Sequence, residues 1–238
     1  MSKFRIALGA GHRLATPGKR CLKSLDPKET REWVLNDRIC DKVEKMLAAE
    51  YSGYELLRVD DTEGKKEISV NARNNAANNW KADVCIAVHH NAGINGGKGG
   101  GIVAYVCKGV GEETKAWQKD LYNALIAHTG LKGNRSTPLG VANFLMLTGT
   151  KAPAVLLELG FMDSQTDVPV ILTDDYATKC AKAIVEVIVK RGGLTKKVNK
   201  QTGKLYRVQV GAFGNKANAE MLAAELKRKG YTVCLTEG

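Results

Sequence analysis

The chain has four histidines, His12, His89, His90 and His128, and two of them fall where chemistry is commonly done. Phe4 to Gly9 reads as a buried strand that ends at Gly-Ala-Gly-His, with His12 just past it. Asp83 to Val88 reads as a continuously apolar strand ending at His89-His90-Asn91. In an open α/β sheet, ligands bind outside the carboxyl ends of the strands, so histidines from two strands can converge there. Two carboxylates extend the pattern. Glu158 ends the apolar run Ala-Val-Leu-Leu, and burying an acid is costly unless it is paired or lies near a cation. Glu32 lies in the first turns of a helix that follows the His12 loop. Zinc takes about four N, S or O ligands, and a catalytic site keeps one position for water. His12, Glu32 and His89 would make a His₂Glu set. Zinc there would polarise a carbonyl and acidify water, and Glu158 would carry the proton to a leaving amine. Spacing alone leaves a plainer reading open. Strand-end histidines are commonly hydrogen-bonded loop residues, helix glutamates are commonly solvated, and no His-Glu-x-x-His is present. Glu158 is the residue that fits this plainer reading least.

The elements that must position these groups follow from hydrophobic period and punctuation. A long helix is expected from Asp26-Pro27 to about Ala49, with Val34, Leu35, Ile39, Val43, Met46 and Leu47 at helical spacing. Strands are expected at Tyr54–Asp60, Ile102–Cys107 and Ala154–Glu158, the second reached through a glycine-rich, hairpin-like loop. Helices are expected at Ser69–Trp80, Glu112–His128 and Asp174–Lys190. Strands apolar on both faces and alternating with helices predict an α/β domain with a twisted, mostly parallel or mixed central sheet flanked by helices. On that helix Glu29 and Glu32 share a face, so either acid could serve as the ligand. Strand alternation sends His89 and His90 to opposite faces. His128 reads as a cation at a helix C-terminus.

The 238 residues are globular in composition, with 44% hydrophobic and 26% charged, and no apolar run reaches the roughly 20 residues of a spanning helix. Lys and Arg number 36 against 25 Asp and Glu, a net charge of +11. That balance favours a polyanionic partner such as nucleic acid, an anionic membrane face or an anionic cell-wall polymer. A nucleic-acid role finds no interleaved basic and aromatic strand pattern and no helix-turn-helix signature. The six cysteines are scattered without a Cys-x-x-Cys pair and read as reduced and structural. Met1-Ser2-Lys3 leads straight into an apolar strand with no cleavable signal, so the expectation is a protein made in the cytoplasm that acts on a wall after release.

Residues 4 to 190 resemble the zinc-dependent N-acetylmuramoyl-L-alanine amidases of the Amidase_3 family, found in bacterial autolysins and phage endolysins. The matching blocks are Gly9 to His12 (GAGH), Glu32 to Asn36 (E-x-x-L-N), the Arg73 region before ADVCIAVHHNAG, the GIVAY strand, and Pro153 to Asp167 (PAVLLELGFMDSQTD), all in the family's order. The resemblance implies His12, Glu32 and His89 as zinc ligands, His89 rather than His90 because the motif is H-x-N, and Glu158 as the catalytic acid and base. Asn91, Asn134 and Arg135 become candidate substrate contacts. The first block departs from the family's usual GHGG, since Arg13-Leu14 follow His12. The implied reaction is hydrolysis of the amide between N-acetylmuramic acid and L-alanine in peptidoglycan, in an endolysin-like setting. A non-catalytic wall-binding protein on the same fold is the rival reading.

After Arg191 the texture changes. Residues 192 to 204 read as a linker, and residues 196 to 238 carry nine Lys or Arg against three Asp or Glu. The stretch from Leu205 reads as strand (Leu205–Val210), helix (Asn218–Lys229) and strand (Thr232–Leu235). It resembles the first half of a SPOR domain, a ferredoxin-like peptidoglycan-binding module, through Tyr206, Gln209, Gly211, Phe213, Leu226 and Gly230 among others. Half of such a sheet leaves unpaired edges, so a homodimer that joins two tails is expected. The domain expectation is therefore a catalytic domain at 1–191 and a wall-binding module at 205–238.

Overall fold

The computed structural model describes residues 2–197 and 208–236. The chain divides into two compact units, 1–197 and 198–238. In the first unit the elements run β1 (Phe4–Ala10), α1 (Glu32–Glu50), β2 (Tyr51–Ser52), β3 (Tyr54–Arg58), α2 (Val70–Asn79), β4 (Val84–Asn91), β5 (Ile102–Val106), α3 (Glu112–Thr129), β6 (Leu139–Val141), α4 (Leu145–Thr148), β7 (Ala154–Phe161), α5 (Val168–Ile171), α6 (Asp174–Gly192) and β8 (Thr195–Lys196).

Six strands form one sheet in the order β3-β1-β4-β7-β5-β6. Every neighbouring pair is parallel except β5 with β7, so the expected mixed α/β sheet is present. The strands β1, β4 and β7 are apolar on both faces because helices cover both. Ile6, Leu8, Ile86, Val88, Val155 and Leu157 meet α1, α3 and α6 on one face. Ala7, Cys85, Ala87 and Leu156 meet Ala77 of α2 and Met146 and Leu147 of α4 on the other. α6 is framed by its own signals: Thr173 accepts from Tyr176 N at its start, Asp174 and Asp175 sit in its first turn, and Gly193 takes the left-handed conformation at its end.

Three expectations are corrected. The first helix starts at Glu32, not at Asp26-Pro27. The Asp26 carboxylate accepts from Lys28 N (3.1 Å) and Thr30 N (2.7 Å), which closes a turn there, and Glu29 sits at φ 49°. The glycine-rich loop is no hairpin, because β7 lies between β4 and β5. Residues 192–197 are no linker. Leu194 is buried in the core, and Thr195–Lys196 pair antiparallel with Tyr51–Ser52. Residues 198–204 of that expected linker lie outside the described residues.

In the second unit, α7 (Lys216–Arg228) forms near the expected span, with Asn215 Oδ1 accepting from Ala217 N. Of the two expected flanking strands, 205–207 lie outside the described residues, and 208–210 and 232–235 are not paired as strands. Their apolar side chains face solvent, Val208 at 83% and Leu235 at 53% exposure. A strand needs a neighbour to accept its ladder bonds, and none of the described segments supplies one. All six cysteines are free, four of them buried.

Candidate active site

Three parallel strands bring the histidines and Glu158 to one edge of the sheet. β1 ends at Ala10, and two residues later His12 stands at φ 64°. Histidine adopts that left-handed region more readily than most residues, and such conformations concentrate at functional sites. His89 lies two residues before the end of β4, and its register partner on β7 is Glu158, so the two side chains leave the sheet on the same side. α1 lies against the opposite face, and its first residue, Glu32, reaches round the strand ends from there.

The resulting cluster is tight. His12 Nε2 is 3.3 Å from Glu32 Oε2, and His89 Nδ1 is 3.1 Å from Glu32 Oε1. The two imidazoles stand edge to face with centroids 5.1 Å apart. One ligand-type atom from each of His12, Glu32 and His89 lies within 4.8 Å of the other two. Close approach of β1 to β4 depends on Gly11, where a Cβ would stand 2.1 Å from the His89 ring. Arg73 holds the same corner, donating to the carbonyls of Ala10 (2.5 Å), His12 (3.1 Å) and Ile68 (3.0 Å). A cavity of about 100 Å³ opens beside the cluster, lined by His12, His89, Arg73, Ile68 and Met146 among others.

The electrostatics differ from group to group. Burial lowers the His12 pKa to about 4, so its imidazole is neutral at pH 7 and has a lone pair to offer. Burial pushes Glu32 upward, but the His89 hydrogen bond and the interactions with His89, His12 and Lys19 outweigh it and bring it to about 2. Lys19 Nζ lies 3.7 Å from Glu32 Oε2. Burial raises Glu158 to about 7, with His89 opposing the rise and Glu32 adding to it. Glu158 Oε2 and Glu32 Oε2 are both sealed from solvent without a hydrogen-bond partner.

The remaining candidates are not among the three side chains that converge. Glu29 pairs with Arg20 at 3.0 Å. His90 is buried on the α1 side and bonds Asn36 Oδ1. His128 meets Glu186 of α6 at 2.8 Å. Asn91 Oδ1 accepts from Ala92 N, Asn134 Oδ1 accepts from Gly100 N, and the Arg135 guanidinium sits 4.4 Å over the Phe161 ring. All three lie on or beside the glycine-rich loop. Sequence reasoning missed what holds that loop. Asp163 Oδ2 accepts from the backbone of Gly93, Ile94 and Asn95, each at 2.8 Å, and Asp167 Oδ2 accepts from Gly101 (2.7 Å) and Phe161 (2.9 Å). The signal was present in two acids spaced four apart directly after the apolar strand.

A family model described as N-acetylmuramoyl-L-alanine amidase, Amidase_3, matches residues 6–190. The chain belongs to this family. It is a peptidoglycan amidase, an enzyme that hydrolyses the amide between N-acetylmuramic acid and L-alanine. A SPOR-domain model matches residues 181–236. The sporulation-specific N-acetylmuramoyl-L-alanine amidase of Bacillus subtilis (strain 168) is 30% identical over 231 residues, covering 95% of this chain and 82% of that protein. The endolysin of Bacillus phage SPP1 is 30% identical over 198 residues, covering 83% and 69%. Among solved structures, the N-acetylmuramoyl-L-alanine amidase from Clostridium difficile 630 superposes with a TM-score of 0.69 at 22% identity, covering 80% of this amidase and 97% of that chain. This last likeness concerns the fold.

Proposed function

We propose that this amidase is a zinc enzyme whose metal is held by His12, Glu32 and His89, with Glu158 as the proton carrier. The donor set fits the ion. Two imidazoles and a carboxylate are ligands of the kind zinc takes, and Glu32 Oε2 is buried, makes no hydrogen bond and lies 3.3 Å from His12 Nε2. A bound zinc would supply Lewis acidity and a lowered pKa for water.

This chain's residues then do the rest. The cavity beside His12 and His89 receives the lactyl carbonyl of the muramic acid. Glu158, deprotonated, takes a proton from the water that attacks the carbonyl carbon. The same carboxyl then gives that proton to the nitrogen of L-alanine as the carbon–nitrogen bond breaks, leaving a lactyl carboxylate and a free L-alanine amino group. A pKa near neutrality suits a group that must do both. Asn91, Asn134 and Arg135, on the braced loop, are the proposed contacts to the glycan and stem peptide. The observation that carries this reading is the meeting of His12 from the loop after β1, Glu32 from α1 and His89 from β4, with Glu158 the register partner of His89.

The setting we favour is wall lysis of the endolysin kind, supported by the phage relative. The C-terminal unit, by its SPOR match, is the proposed wall anchor. Pairing of two tails into one sheet is its proposed assembly, supported by the exposed apolar segments on either side of α7.

A Glu158→Gln variant tests the core of the reading. It is expected to keep stoichiometric zinc and the fold while turnover falls by about 10² to 10⁴. Full turnover by that variant would remove Glu158 from the mechanism.

A further inference from the structure

His90 and Asn36 take no part in the steps above, yet both are buried beside the candidate ligands, at 2% and 0% exposure. Asn36 Nδ2 lies 3.2 Å from the Gly11 carbonyl and 3.4 Å from Glu32 Oε1. A carbonyl and a carboxylate only accept, so the amide must turn its NH₂ end toward them. Its oxygen then faces His90 Nδ1 at 2.8 Å. An amide oxygen only accepts, so His90 must carry its proton on Nδ1. The other ring nitrogen, Nε2, is sealed without a partner and is the bare one.

The consequence falls on Glu32. Its Oε1 receives the His90 backbone N–H at 3.2 Å and the Asn36 amide at 3.4 Å, and lies 3.1 Å from His89 Nδ1. Its Oε2 receives no hydrogen bond. The carboxylate is therefore hydrogen-bonded at one oxygen, while the other makes no hydrogen bond and faces His12 Nε2 at 3.3 Å, with Lys19 Nζ at 3.7 Å. Asn36 also ties this acid to the Gly11 carbonyl, one residue before His12. An Asn36 amide turned the other way would set its oxygen against Glu32 Oε1 and repel it.

We propose that His90 is a positioning residue for the metal: its Nδ1–H fixes the direction of the Asn36 amide, which presents Glu32 Oε2 as a ligand. Outer partners that orient a ligand are typically worth about 10- to 100-fold in metal affinity. The inference rests on Glu32 being a zinc ligand.

The test is zinc affinity by chelator competition on the full chain. His90→Leu keeps bulk but has no donor and is expected to weaken zinc about 10- to 100-fold. His90→Asn keeps an N–H near the Nδ1 position and is expected to stay within about threefold of wild type. Asn36→Ala breaks the same relay from its other end and is expected to match His90→Leu. Wild-type affinity in His90→Leu, or equal losses in His90→Leu and His90→Asn, would overturn the proposal. A readout independent of any variant is the imidazole ¹⁵N spectrum of the metal-free protein. It is expected to show His90 as the Nδ1–H tautomer, and an Nε2–H tautomer would overturn the relay. A wild-type chain that holds no zinc would instead overturn the reading of the site itself.

Discussion

At the scale of single residues, burial has opposite consequences for the two acids of the site. Glu32 keeps its charge because nitrogen donors surround it, while Glu158 is pushed up to about 7 from an ordinary 4.5. For Glu158 the native state holds a proton that the unfolded chain has released between about pH 4.5 and 7. This acid's contribution to stability is therefore lost as pH rises through that window. His12 works in the other direction, since burial lowers it from 6.5 to about 4. There the unfolded chain takes up the proton first, and stability is lost as pH falls below 6.5. The prediction concerns the difference between Glu158→Gln and wild type, both metal-free. The melting temperature of the variant should gain on wild type from pH 5 to about pH 7 and then level off, and a difference that stays flat throughout would contradict the assigned burial effect. Individual residues were unevenly legible in the sequence. His12, His89 and Glu158 each follow an apolar run, which raises them as candidates, while the family resemblance assigns their roles. Glu32 could not be separated from Glu29 by spacing, because the turn made by Asp26 and the positive φ of Glu29 decide which acid begins the helix.

At the scale of elements, the site depends on how closely strands approach. Gly11 makes room for the His89 ring, and an added methyl would stand 2.1 Å from that ring. Gly11→Ala must therefore push one imidazole out of place. It is expected to weaken zinc binding and lower kcat/KM by about tenfold or more, a loss of over 1.4 kcal/mol in each, with most of the fold's stability retained. Chelator competition together with assay of wall hydrolysis checks this, and wild-type zinc affinity would show that the two strands have slack. Long, periodic elements such as α3, β4 and α6 were readable because their apolar period extends over many residues. Short ones were not. β6 is three residues long, with Leu139 and Val141 exposed, and exists because β5 offers it an edge. β8 reads as linker until Tyr51–Ser52 supply its partner. The place of β7 between β4 and β5 follows from long-range pairing, which hydrophobic period does not encode.

At the scale of the whole molecule, the chain combines an α/β amidase unit with a basic C-terminal unit. The positive surplus of the latter suits an anionic wall polymer, and its attraction is expected to weaken as salt screens it. If two tails share one sheet, light scattering of the intact chain should give twice the mass of one chain, and a version ending at residue 197 should give a single mass. The shortened version should keep its zinc and its hydrolysis of soluble fragments, because His12, Glu32, His89 and Glu158 all lie in the first unit. An intact chain that scatters as a monomer would rule out the pairing without touching the catalytic account.

The most direct test of that account is mass analysis of purified peptidoglycan after digestion by the protein, with and without prior removal of metal by a chelator. The zinc-loaded chain should release stem peptides that begin with a free L-alanine amino group and leave glycan strands with intact muramic acid. The chelated chain should release none until zinc is restored. New reducing sugar ends, cuts within the stem peptide, or full release after metal removal would contradict the account.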